Sequence, residues 1–198
     1  MAKVTCDMSV SIDGFTAGPN QSADKPFGDG PVDRLHQWMF EQPEANAAEI
    51  EAITAVGAFI MGRNMFGPGR GEWDESWKGW WGDEPPYHAP VFVLTHHPRE
   101  PVEMQGGTTF TFMTDGIESA LAQAREAAGG GDVAIAGGAS TVNQYLAAGA
   151  IDELRLHAVP VVLGVGERLF DGVGPLVLER VGVRATDLVT HFTYRVAR

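Results

Sequence analysis

Three short stretches place glycine, hydroxyl and cationic side chains where an apolar run stops. They are "IMGRN" with Gly62, Arg63 and Asn64, "VLTHHPR" with Thr95, His96, His97 and Arg99, and "DVAIAGGASTV" with Gly137, Gly138, Ala139, Ser140 and Thr141. A glycine pair bares the main chain. The N–H groups that open a helix after it are unpaired donors at the positive end of the helix dipole, which suits a phosphate. Without a ligand, "GGAST" is a tight turn followed by a capped helix. It is neither GxGxxG nor GxxxxGK(S/T), and Arg63 by itself is as well explained by a surface ion pair.

Taken together, the three stretches suit a dinucleotide. The glycine pair would cradle its pyrophosphate, and the other two would face an adenosine phosphate. Within Thr95–Arg99 no side chain is an acid that would hold a free ribose diol, which favours NADPH over NADH. His96 and His97 are adjacent and point apart, and there is no HExxH, so no metal site is expected. Among the acids, Asp7 lies inside the first strand. It either faces a substrate cavity, as a proton source or anchor, or satisfies a neighbouring group. Asp13 in "SIDGF" reads first as a turn-former and second as a catalytic acid. Asp33 reads as a first-turn or capping acid. His157, in "LRLHAV", is a satisfied core histidine or a cavity-lining group.

These residues need a scaffold. A chain of 198 residues is one domain, spanning 1–198, with enough length for a sizeable core. "KVTCDMSV" alternates as a strand. "GAFIMG", "PVFVLT" and "DVAIAG" are continuous apolar strands, the pattern of a sheet covered on both faces. "TTFTFM" is a further strand. Helices are expected near Asp33, over "EANAAEIEAITAV", after Asp115 and after Gly138, with capping boxes at Asp115/Glu118 and Thr141/Gln144. "PLVLERVGV" and "DLVTHFTYRV" form a terminal antiparallel hairpin. The expectation is an α/β fold with a mixed, mainly parallel central sheet flanked by helices. A long irregular segment with Trp73, Trp77, Trp80 and Trp81 interrupts it, as an aromatic wall, an interface or plain packing.

The net charge of −12 argues against nucleic acid and against an anionic membrane surface. The single cysteine, Cys6, excludes a disulfide framework. "MAKVTCDMSV" lacks the charged head and long apolar stretch of a signal peptide, and no run reaches the length of a membrane span. A cytoplasmic protein with a small-molecule substrate is expected.

"AFIMGRNMF", "VFVLTHHP", "DVAIAGGASTVNQYL" and "DELRLHAVPVVLGVGERLF", in this order and spacing, resemble the dihydrofolate reductase-like superfamily. The branch they are most similar to is the reductase of riboflavin biosynthesis, the RibD C-terminal domain, and "MSVSIDGFTAGPN" is similar to its first strand and loop. The resemblance spans nearly the whole chain. It implies an NADPH-binding sheet and hydride transfer to a flat nitrogen heterocycle, pyrimidinone- or pterin-like. It assigns Gly62, Arg63, Asn64, Thr95, His96 and Gly137 to Thr141 to the cofactor, and Ile12 with the loop Asp13 to Ala17 to the nicotinamide. It puts Asp7 and His157 in the substrate pocket and implies a homodimer. The other reading of the same residues is a non-catalytic nucleotide-binding module.

Overall fold

The structure is a computed structural model and describes residues 2–197. The chain runs β1 (Val4–Ser11), β2 (Phe15–Ala17), α1 (Gln37–Phe40), α2 (Ala47–Thr54), β3 (Ala58–Gly62), α3 (Arg63–Phe66), β4 (Pro90–Leu94), β5 (Val102–Glu103), β6 (Thr109–Met113), α4 (Gly116–Ala127), β7 (Val133–Gly137), α5 (Ala139–Ala147), β8 (Glu153–Val159), β9 (Glu167–Arg168), β10 (Leu178–Ala185) and β11 (Thr190–Val196). Short 3-10 turns occupy Val32–His36, Glu44–Asn46 and Gln105–Gly107.

Nine strands form one sheet in the order β10-β11-β8-β1-β7-β3-β4-β6-β5, and β2 pairs separately with β9. The six central strands, from β8 to β6, are mutually parallel. The hairpin β10–β11 is antiparallel and joins β8 antiparallel, and β5 closes the other edge antiparallel. The continuous apolar runs become β3, β4 and β7 because both their faces are covered.

One face packs under α4 and α5. There Val4, Cys6, Met8, Ile60, Ile135 and Leu154 meet Ala120, Ala124, Val142, Tyr145 and Leu146. The opposite face has two covers. Over β3, β4 and β6, the tryptophan segment and Phe66 pack on Phe59, Met61, Val91, Val93, Phe110 and Phe112. Over β8 and the hairpin, Leu35 and Trp38, with Ile50 and Ile53, pack on Val159 and Val189. Between these covers lies the strip of sheet that carries the β1 side chains Thr5, Asp7 and Ser9.

Both expected capping boxes are absent. Asp115 stands at the N-cap of α4 without a side-chain cap bond. The second helix begins at Ala139, directly after Gly138 as expected, but Gly138 and not Thr141 is its N-cap, so Thr141 falls inside it. Its hydroxyl lies against Gly62, while Gln144 donates to the Ser140 carbonyl. Strands β2, β5 and β9 were not expected, being only two or three residues long and too short to show a period.

Candidate active site

The parallel strands end together, and the expected phosphate cradle stands at the end of β7. Gly137 has φ +124°, a conformation that disfavours any side chain, and the Gly137–Gly138 peptide is cis. A Cβ added at Gly138 would meet no atom within 4 Å, so the space in front of it is open. The chain then turns into α5. The Thr141 and Val142 amides donate to the Gly138 carbonyl, which leaves the first amides of the helix, those of Ala139 and Ser140, without an intrahelical acceptor. Gly62, at the end of β3, is needed for a different reason. A Cβ there would collide with the Thr141 hydroxyl, so this glycine lets the β3 end and α5 touch.

The side chains of "GRN" and "THHPR" are less free than the sequence suggests. Arg63 donates from Nε to the Gly69 carbonyl (3.0 Å) and from Nη2 to the Glu72 carbonyl (3.2 Å), and its guanidinium lies 3.8 Å from the Trp73 ring centroid. Arg99 donates to the Glu75 and Trp77 carbonyls and lies 5.4 Å from the same ring. Trp73 and Trp77 donate to the His97 and Phe66 carbonyls. The tryptophan segment is therefore a packed cover pinned by two arginines. Even so, Arg63 Nη1 and Arg99 Nη1 are buried without a hydrogen-bond partner, while Arg99 Nε lies 3.3 Å from Glu75 Oε2. Thr95 caps the turn that follows it by accepting from the His97 amide, and His96 is exposed. The sequence places Glu100 directly after this cluster, and the fold adds two more acids, Glu75 at 3.3 Å from Arg99 Nε and Glu72. Glu72 reaches within 3.4 Å of His97 Nδ1 from the tryptophan segment.

Asp7 and His157 do come together. In the β1–β8 register Asp7 pairs with Arg155, and His157 lies one position further along the same face. Asp7 Oδ2 is 3.4 Å from Arg155 Nη2, and Oδ1 is 3.3 Å from His157 Nε2, with the Asp7 side chain only 8% exposed. His157 Nδ1 is 2.8 Å from His191 Nδ1 on β11, and His191 Nε2 is 2.9 Å from Asn46 Oδ1. Trp38 roofs the cluster. Its indole N–H donates to Ser9, and its ring centroid lies 4.7 Å from that of His157. His36 joins from the 3-10 turn and stacks on Phe27. Burial, with His157 close by, holds both His36 and His191 down at about 4. Thr5 Oγ1 and His36 Nδ1 are buried without a hydrogen-bond partner, and Asp7 Oδ1, His157 Nε2 and Arg155 Nε have only ion-pair contacts at 3.3–3.5 Å. Such a concentration of weakly served polar atoms is costly in a finished core and fits a site for a polar ligand. No three His, Cys, Asp or Glu side chains among the described residues are grouped as metal ligands.

Asp13 stands apart from this cluster. Its carboxylate accepts from the Ser11 hydroxyl (2.7 Å) and from the Leu163 and Gly164 amides (3.1 and 2.7 Å). The Ser11 hydroxyl, with those amides behind it, holds the group down at about 2. It is a clasp between two loops, and a carboxylate so served is a poor proton donor. That corrects its place among the catalytic candidates. Ile12 is exposed at the tip of the same loop, with its amide bonded to the Val161 carbonyl. Asp33 lies in the first turn of its 3-10 helix and makes no cap bond. Sequence reasoning missed Arg155, His191, Asn46 and His36 as site residues. "LRLHAV" and "VTHFTY" both alternate, but nothing in either says that His157 and His191 lie side by side.

A profile of the family described as the RibD C-terminal domain matches residues 2–192. The uncharacterized protein YyaP of Bacillus subtilis is 24% identical over 178 residues, covering 85% of this chain and 80% of its own length. A putative riboflavin biosynthesis protein from Shewanella sp. PV-4 superposes with a TM-score of 0.69 at 22% identity, over 99% of both chains. Dihydrofolate reductase from Enterococcus faecalis, complexed with NADP(H) and RAB-propyl, gives 0.60 at 16% identity over 99% of this chain and 97% of its own. A Thermotoga maritima deaminase and 5-amino-6-(5-phosphoribosylamino)uracil reductase gives 0.59 at 16% identity. There the match covers 99% of this chain but 57% of the larger protein.

Proposed function

The chain belongs to the RibD C-terminal domain family, and from that premise we propose that it is an NADPH-dependent reductase acting on a small, flat nitrogen heterocycle of the pyrimidinone or pterin kind. The observation that carries this reading is the β7–α5 junction. There a positive-φ glycine, open space where a Gly138 Cβ would stand, and the first amides of a helix face the same side as the carboxyl ends of the strands. These residues fit a pyrophosphate. The Nη1 groups of Arg63 and Arg99, which have no hydrogen-bond partner, fit a further phosphate beside β3 and β4. When bound, the coenzyme supplies a hydride. The chain's own residues hold the diphosphate by main-chain amides, orient the heterocycle against the β1 strip and meet its polar edge with Asp7 and Arg155. Trp38 and the surrounding helices keep the strip nearly closed to water.

Calorimetric titration with NADPH tests the cradle. The wild-type chain binds, and Gly138→Val, which fills the open space without touching the core, binds at least about tenfold more weakly with unchanged circular dichroism. Equal affinity in the two proteins removes the proposed cradle. A panel of pterins, pyrimidinones and quinoid acceptors then tests turnover by loss of NADPH absorbance. Tight binding with no turnover across the panel rejects the reductase reading.

A further inference from the structure

Counting hydrogens along one buried chain of side chains yields a result that no single residue gives. Asn46 is completely buried. Its Nδ2 sits 3.0 Å from the Trp38 carbonyl and 2.8 Å from the Gln42 carbonyl. Carbonyls only accept, so the amide nitrogen must face them and Oδ1 must face His191. Asn46 Oδ1 is itself an acceptor, so the 2.9 Å gap to His191 Nε2 holds a hydrogen on the histidine. The 2.8 Å gap between His191 Nδ1 and His157 Nδ1 joins two ring nitrogens and needs one hydrogen. The 3.3 Å gap between His157 Nε2 and Asp7 Oδ1 sets a ring nitrogen against a carboxylate oxygen. Left empty, it would oppose a lone pair and a negative charge in a site with little water to screen them. Three gaps need three hydrogens, and two neutral imidazoles bring two.

We propose that Asp7, His157 and His191 together hold one proton more than two neutral histidines and a carboxylate would, and that Asn46 fixes it there, in the gap beside Asp7. His191 is kept neutral by burial and by its neighbour. The extra proton therefore lies between His157 and Asp7, at the end of the chain beside Thr5 and Arg155 of the strip. Arg155 and Glu153 of β8 face this end, His36 faces it from the 3-10 turn, and Glu49 and Arg184 flank the His191 end. The use of this proton rests on the reductase reading above, while its existence does not. Reduction of a C=N bond takes a hydride on carbon from the reduced nicotinamide and a proton on nitrogen. The pair gives that proton, leaves an Asp7 carboxylate beside a neutral His157 protonated on Nδ1, and regains a proton from solvent before the next turnover. Asp7 is then the donor, and His191 and Asn46 are positioning residues.

Long-range proton–nitrogen correlation spectra of the ligand-free protein at neutral pH, with carbon detection of the Asp7 carboxyl, read the count directly. The expected result is His191 protonated at Nε2 and His157 at Nδ1, with the third hydrogen either on His157 Nε2 or on Asp7. Two singly protonated rings beside an ionised Asp7 overturn the proposal. In His191→Leu the acceptor for His157 Nδ1 is gone. His157 turns to its Nε2–H form, the extra proton is released, and kcat falls about 10²-fold while KM moves about twofold or less. His191→Gln offers an acceptor oxygen in place of the ring nitrogen and restores both the Nδ1–H state and most of kcat. If the leucine variant does not fold, the wild-type and glutamine spectra still decide. If no acceptor is turned over, the reductase reading fails, and the hydrogen count stands or falls on the spectra alone.

Discussion

Three donors converge on the Asp13 carboxylate, while six residues earlier the Asp7 carboxylate meets an arginine and a histidine at 3.4 and 3.3 Å and no closer donor. The same side chain is a structural clasp in one place and a site group in the other, and the difference lies wholly in what surrounds it. The histidines carry a consequence for pH. His36 and His191 titrate at about 4 in the folded chain, against an ordinary value near 6.5. Between those two values the unfolded chain binds more protons at these two rings than the folded one, so the stability they contribute is full above about 6.5 and is lost as the pH falls from there to about 4. As the pH falls from about 7 to about 4.5, urea unfolding should show the midpoint decreasing, by at most roughly 5 kcal/mol of stability for the two rings together. In a His36→Phe variant, which keeps the stack on Phe27, that decrease should be about halved. A pH-independent midpoint in the wild type would contradict the burial of both rings.

At the scale of elements, the contact between the end of β3 and the start of α5 is a tight tolerance. Gly62→Ala drives a methyl into the Thr141 hydroxyl and should cost about 1–3 kcal/mol. Pairing it with Thr141→Ala removes the obstructing oxygen, so the double variant should be more stable than Gly62→Ala alone, as thermal melts would show. Additive losses would mean that the clash is relieved by some other movement. Here the limits of sequence reading are also plain. Strands β3, β4 and β7 announce themselves because burial on both faces leaves no polar position in them. The β7–α5 junction announces itself through its glycines. Thr141 offers a better cap on paper than Gly138 yet does not cap α5, and only the neighbouring β3 end explains why its hydroxyl is turned elsewhere. The Asp7 cluster was half visible. Asp7 and His157 were odd enough to notice, but their partners lie on a neighbouring strand and in a distant turn, and no local pattern records that pairing.

For the whole molecule, the hairpin strand β10 is a sheet edge with Val181 and Val183 more than half exposed, and Val177 beside it is 69% exposed. Bare apolar edges invite pairing, and native chains usually cover or charge them. The homodimer implied by the family resemblance is therefore expected to use this edge. Light scattering should give twice the chain mass for the wild type and the chain mass for Val181→Lys with Val183→Lys, and a monomeric wild type would reject the assignment. The strand order has a separate effect on biogenesis. Among the described strands β1 is made before the others, yet its partners are β7, beginning at Val133, and β8. While the ribosome is still adding the middle of the chain, an apolar ribbon waits without neighbours, and the loop after it waits for Leu163 and Gly164 to close it. A nascent chain stalled before residue 133 is thus the form of this protein most exposed to aggregation and most in need of a chaperone.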